Sequence, residues 1–154
     1  PAGVTATVDG LAASIASYIV VAGADDRYMA ANSMMMIHNA WMMTAGDAHE
    51  LRRQADILDK HNDLLINAYS ANSALTIEDV RDAMNAETWY TAQEAAEAGL
   101  IDAIVEETSQ AAAWLQPGRF RNAPKHLVAS DPETSPAWRR EAARRRLRLT
   151  KAGS

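Results

Sequence analysis

Ser14 and His38 are the side chains whose types and settings could carry chemistry. Ser14 follows a short strand pattern and a Gly10-Leu11-Ala12-Ala13 turn, and it opens an apolar run. A serine at a helix start has the N–H of the next residue, Ile15, aimed where a developing oxyanion would sit. The helix dipole favours negative charge there. The setting is like a nucleophile elbow, although the G-x-S-x-G pattern is absent. The plainer reading is a serine packed among alanines, or an N-cap. A serine hydroxyl is a weak nucleophile and needs a base of pKa near 7 within hydrogen-bond reach. His38 ends the apolar run Met34-Met35-Met36-Ile37, a place suited to that task. Taken alone, its plainer reading is a histidine satisfied by backbone at a sheet edge. A carboxylate would then have to orient the imidazole. Glu87, Asp102 and Asp47 are all candidates, and spacing does not choose among them.

Other constellations are weaker. His49-Glu50 lacks the second histidine of H-E-x-x-H, because position 53 is arginine, so no zinc-protease motif is present. His61 reads as an ordinary histidine on the surface or flank of a helix. Glycines 3, 10 and 23 form no phosphate loop. Methionines 34–36, 42 and 43 are expected to fill the core or a groove rather than bind a metal. The chain has no cysteine, which excludes a disulfide framework, a thiolate metal site and a cysteine nucleophile. No cofactor and no metal are expected.

The elements that would position these residues follow from local pattern. Val4 to Val8 is β-branched and alternating and reads as a strand, broken by Asp9-Gly10. Ala12 to Ala22 reads as a buried helix stopped by Gly23, because a strand rarely runs that long or carries so much alanine. Arg27 to Ala30 is a weak strand, Asn32-Ser33 a turn, and Met34 to His38 a buried strand. Asp47 to about Asn72 is a long amphipathic helix with Leu51, Ala55, Leu58, Leu65 and Tyr69 on one face. Capping boxes at Thr76–Asp79 and Thr91–Glu94 open two more helices, the first running through Met84 and the second stopping at Gly99. Ile101 to Val105 is a final strand. Strands alternating with helices predict an α/β layered domain.

The 154 residues bound the answer to one domain and a tail. A hydrophobic fraction of 48% is enough for a core. No apolar run reaches the ~18–20 residues of a membrane span. The first residues carry no signal-peptide pattern, so the expectation is a cytosolic protein with no membrane contact. The net charge of −5 hides an asymmetry. Residues 1–118 hold 5 basic and 17 acidic side chains, whereas residues 119–154 hold 10 basic and 3 acidic. The body should repel nucleic acid, and the tail could attract an anionic partner. Prolines 117, 124, 132 and 136 interrupt that tail before an arginine-rich helix candidate at 137–149.

Taken in order, these segments resemble the Clp-type serine proteases, the ClpP family. Gly10-Leu11-Ala12-Ala13-Ser14-Ile15-Ala16-Ser17 is similar to the family's G-x-A-A-S nucleophile segment. Ala22-Gly23, Arg27, Asn32-Ser33 and Met36-Ile37-His38 follow in family order and spacing. Glu87-Thr88-Trp89-Tyr90-Thr91-Ala92, then Glu94-Ala95 and Gly99-Leu100-Ile101-Asp102, resemble the segment carrying the family's catalytic acid. The likeness covers about residues 4–107. Its Glu-Thr-Trp wording, its Ala-Glu-rich following helix and its basic extension are similar to the head maturation proteases of tailed phages and prophages.

The resemblance implies a ClpP/crotonase-like layered α/β fold over residues 1–115, with the long helix as a protruding "handle" and a basic extension over 116–154. It implies a serine endopeptidase with Ser14 as nucleophile, His38 as base, Glu87 as the acid and Ile15 N–H as an oxyanion donor. Family members carry aspartate where this chain has Glu87, and the longer glutamate can still orient a histidine. The family also has an upstream strand and Gly-Gly loop that supply a second oxyanion donor. This chain begins after them, which predicts an N-terminally incomplete domain. Loss of one such donor costs about 3–4 kcal/mol in the transition state. The implied partners are a polypeptide substrate, such as a capsid or scaffold protein, and further copies of the chain in a ring. No ATPase partner is specified, and a nucleic-acid contact by the basic tail is a further option. The implied location is the bacterial host cytoplasm or the phage prohead. The alternatives are an inactive ClpP-like assembly module and a housekeeping ClpP subunit. A crotonase-type acyl-CoA enzyme is disfavoured, because that chemistry has no need of this serine and histidine.

Overall fold

The structure, a computed structural model, describes residues 2–106, 120–125 and 127–128. It contains ten elements in chain order: β1 (Thr5–Val8), β2 (Leu11–Ala13), α1 (Ile15–Gly23), β3 (Asp26–Ala30), β4 (Met34–Ile37), α2 (Ala48–Ala71), α3 (Ile77–Ala86), β5 (Thr88–Thr91), α4 (Ala92–Glu97) and β6 (Ala103–Val105). The strands form two small sheets. One has the order β1-β3-β6 with all neighbours parallel. The other has the order β2-β4-β5, with β2 parallel to β4 and β5 antiparallel to β4.

The chain crosses between the sheets twice in the same way. It leaves β1 through Asp9-Gly10 into β2, and leaves β3 through Ala31–Ser33 into β4. The two crossings lie side by side, because Met34 N–H donates to Gly10 C=O at 2.9 Å. Ser33 closes its own turn by donating N–H and Oγ–H to the Ala30 carbonyl at 2.9 and 2.7 Å. Turns of this kind favour serine because its hydroxyl can replace a backbone donor.

The run read as one helix from Ala12 is split. Leu11–Ala13 is a strand in register with Met34–Met36, and the helix begins only at Ile15. Ser14 between them has φ 62°, which no continuous helix tolerates. The short apolar stretch carried no periodicity that could separate strand from helix. Other boundaries differ as well. β4 ends at Ile37, one residue before His38. β5 occupies Thr88–Thr91, where the sequence suggested only a link between helices. The helix capped by Thr76 continues to Ala86 rather than Met84. β6 starts at Ala103, and Asp102 just before it is already tied to β3: its N–H reaches Arg27 C=O at 2.8 Å, and its carboxylate pairs with the guanidinium at 2.6 Å.

The core lies between the sheets and the helices. Val8, Val21, Met29, Met35, Ile37, Val80, Met84 and Leu100 are among its buried members. Val20 and Val21, with Ser17, give α1 one buried face at i, i+3 and i+4 spacing. Methionines 35 and 36 are core residues, whereas Met42 and Met43 stand exposed, Met43 at 89%. Both capping boxes are present. The α4 end requires glycine at position 99, where φ is +67° and a Cβ would stand 2.7 Å from Ala74 N.

Helix α2 is N-capped by Asp47, whose side chain accepts from His49 and Glu50 N–H. Of its 24 residues only Ile66 and Tyr69 are buried. Leu51, Ile57 and Leu64 are exposed, Leu64 at 66%. Among the described residues no helix is long and apolar enough to cross a membrane. The helix expected at 137–149 lies outside the described residues. Within the described part of the extension, Leu127 N–H reaches Pro124 C=O and Val128 N–H reaches Lys125 C=O.

Candidate active site

Ser14 and His38 leave from neighbouring parallel strands at the same end of one sheet. β2 delivers Ser14 and β4 delivers His38. Strand β4 is fixed by full burial of Met35, Met36 and Ile37. Ser14 is locked to it, because Ser14 N–H donates to Met36 C=O at 3.0 Å. Ser14 Oγ and His38 Nε2 stand 2.8 Å apart. That is hydrogen-bond distance between a hydroxyl and a possible base.

Ser14 adopts φ 62° and ψ −123°, outside the regions a residue with a Cβ prefers. Such a conformation costs about 1–3 kcal/mol and persists only where the surroundings hold it. Ser14 is also the N-cap of α1, and its side chain makes no capping bond. The hydroxyl is therefore aimed at His38 instead of at its own helix. Ile15 is the first residue of that helix, and first-turn N–H groups have no intrahelical acceptor. The first turn of α1 contains no acidic side chain to neutralise its positive end.

The three carboxylates that the sequence left open are placed differently. Asp47 caps α2 and Asp102 pairs with Arg27. The guanidinium beside Asp102 holds its carboxyl below the usual carboxylate range. Glu87 is 5% exposed and sits at the C-cap of α3 with φ 54°. The β4–β5 ladder ends with Ile37 opposite Thr88, so the next step along both strands is His38 and Glu87. Trp89 Nε1 donates to Glu87 Oε1 at 3.5 Å, a long bond.

A cleft of about 240 Å³ opens beside the pair, lined by Ser14, Ile15, His38, Ala40, Trp41, Leu65 and Tyr69. None of these except His38 can carry charge near neutral pH. Burial pushes the Tyr69 phenol up to about 12, against the opposing pull of its bond to Ser17. It therefore remains a proton donor at any physiological pH. Among the described residues no group of three or more metal-ligating side chains occurs.

Two residues at this site were not singled out in the sequence. Ser17 is 0% exposed, and its Oγ lies 2.7 Å from Ser14 C=O, 2.7 Å from Met36 C=O and 2.8 Å from Tyr69 Oη. Tyr69 came forward only as an apolar position on α2. The available signal was that a phenol on a buried face needs a polar partner.

Residues 1–108 fit the Clp protease family model. This chain belongs to the Clp protease family. It is 34% identical over 105 residues to the ATP-dependent Clp protease proteolytic subunit 1 of Protochlamydia amoebophila, covering 66% of this chain and 51% of that protein. It is 30% identical over 102 residues to the ATP-dependent Clp protease proteolytic subunit 2 of Cutibacterium acnes, covering 66% and 48%. The chain spans about half the length of these Clp relatives. The part of the chain that fits the Clp model contains both sheets and all four helices described above.

Proposed function

We propose that this Clp-family chain is a serine-type peptidase in which Ser14 is the nucleophile, His38 the general base and Glu87 the orienting acid. The observation that carries the reading is the 2.8 Å approach of Ser14 Oγ to His38 Nε2 from a strained strand-to-helix turn. His38 Nε2 takes the hydroxyl proton as Ser14 Oγ attacks the scissile carbonyl carbon. The oxyanion that forms faces Ile15 N–H. The imidazolium returns its proton to the leaving amine, which leaves an acyl group on Ser14. A water deprotonated by the same nitrogen then releases the acid. For Nε2 to accept, Nδ1 must carry the ring proton, and a buried carboxylate at Glu87 would favour that tautomer and steady the imidazolium. An upstream Gly-rich segment would supply the second oxyanion donor.

The finer reading is processing of a capsid or scaffold protein inside a tailed-phage prohead, in the bacterial cytoplasm. It rests on the Glu-Thr-Trp wording around Glu87 and on the basic extension over 116–154. In that setting residues 1–115 form the protease domain of a ClpP/crotonase-like layered fold, α2 acts as the handle between copies in a ring, and the extension meets an acidic surface or DNA. The exposed Leu51, Ile57 and Leu64 support an α2 contact between copies.

Labelling of the full chain with a fluorophosphonate tests the chemistry, since only an activated serine reacts. The expected result is one adduct on Ser14, lost in Ser14→Ala and in His38→Ala. An unlabelled wild-type chain would leave an assembly module as the better reading.

A further inference from the structure

We infer that the buried Ser17–Tyr69 pair is a positioning device that clamps the strained nucleophile turn to the strand carrying His38. The inference rests on the peptidase reading for its effect on rate, while the clamp itself rests on geometry alone.

The proton count fixes how the network runs. Ser17 Oγ has one proton and three neighbours: Ser14 C=O at 2.7 Å, Met36 C=O at 2.7 Å and Tyr69 Oη at 2.8 Å. Carbonyls only accept. Were Ser17 to donate to Tyr69, both carbonyls would lose it as a donor. The arrangement that serves all three has the Tyr69 O–H donating to Ser17 Oγ, and the Ser17 proton directed between the two carbonyls. Tyr69 thus sets the rotor of Ser17, and Ser17 bridges the Ser14 peptide to the β4 backbone.

The bridge sits where strain has to be held. Ser14 N–H already donates to Met36 C=O at 3.0 Å. Ser17 adds a second tie on the other side of the φ 62° residue, at its own carbonyl. Met36 is two residues before His38, so one carbonyl references both the nucleophile turn and the base. Tyr69 brings the last turn of α2 into the same knot, and its ring packs edge-on against Tyr18 with centroids 6.1 Å apart. The ring also lines the cleft, which makes ring and hydroxyl separable by mutation.

Tyr69→Phe in the full chain keeps the ring and removes the hydroxyl. A misplacement of order 1 Å at a reacting atom costs about 100-fold. The expected result is a fall of about 10–100-fold in kcat and in the fluorophosphonate labelling rate, with KM within about twofold because the ring still lines the cleft. Hydrogen exchange of the Ser14 amide should quicken by about tenfold or more relative to the Val21 amide. Ser17→Ala should give the same changes, and the double variant should be no worse than the more affected single variant, because the two act as one unit. Unchanged Ser14 exchange, or effects of the two substitutions that simply add, would overturn the clamp. A rise in KM at constant kcat would do the same, assigning Tyr69 to substrate contact. If wild type takes no label, the peptidase reading fails by itself, and Ser14 exchange in the same variants still decides for or against the clamp.

Discussion

At Ser14 the usual order of alanine and glycine should reverse. Glycine is ordinarily about 0.5–1 kcal/mol worse than alanine inside an element, through its unfolded-state entropy. At φ 62° and ψ −123° the alanine retains about 1–3 kcal/mol of strain that glycine lacks. Ser14→Gly is therefore expected to unfold at a higher denaturant concentration than Ser14→Ala, with neither variant hydrolysing peptide. A Ser14→Ala protein that proves the more stable would show that the turn is not strained. Glu87 is also left-handed, but its carboxylate is wanted for chemistry, so its conservative test is Glu87→Gln. The amide removes the negative charge that would steady the imidazolium, and kcat should fall about 100–10,000-fold while the Ser14 adduct still forms slowly. Unchanged kcat would pass the orienting role to another group.

Among the elements, α4 and its exit depend most on a single residue. Gly99→Ala would place a Cβ 2.7 Å from Ala74 N in a left-handed conformation. The two costs together predict a loss of about 1–3 kcal/mol, read as a lower urea midpoint. A midpoint equal to wild type would mean that the 98–100 segment can shift at little cost. For α2, Leu51→Asp with Ile57→Asp should leave helix content unchanged and shrink any assembly seen by light scattering, because both positions are exposed in the protomer. Unfolding of the double variant would instead make those leucine and isoleucine contacts internal. The helices were the legible part of the sequence. Two capping boxes and the long period of α2 are local signals, and the structure has all three helices. Strands β2 and β5 were not legible. Leu11–Ala13 and Thr88–Thr91 become strands through pairing with Met34–Ile37, which no window around either segment records. Ser14, after a strand pattern, and His38, at the end of the apolar run 34–37, could be singled out as candidates from local sequence, although the break at Ser14 could not. The Ser17–Tyr69 bond could not, because its partners are 52 residues apart.

For the molecule as a whole, acid should be the weak side. Asp102 is held below its ordinary value by hydrogen bonds from Arg27, and Asp79 and Glu94 by their capping bonds to Thr76 and Thr91. A depressed folded-state value gives stability that is present above the unfolded values, about 3.9 for Asp and 4.3 for Glu. That stability is lost as pH falls through the folded values. Urea midpoints should therefore drop between pH 6 and pH 3. Asp102→Asn should flatten the drop, since an amide has no proton to gain. An Asp102→Asn protein as acid-sensitive as wild type would place the coupling elsewhere.

The parallel pairing of β2 with β4 also has a consequence in time. Ser14 and His38 are 24 residues apart, and nothing brings them together until α1 and β3 have been traversed and both strands have docked. Non-local parallel pairings form late, because the chain loses the entropy of closing the loop before the strands begin to pair. An α2-sized helix can form in about a microsecond. During refolding from urea, helical signal should accordingly return well before reactivity toward a serine probe. The pair would then act as a clock for the docking of β2 on β4, one long-range step of folding.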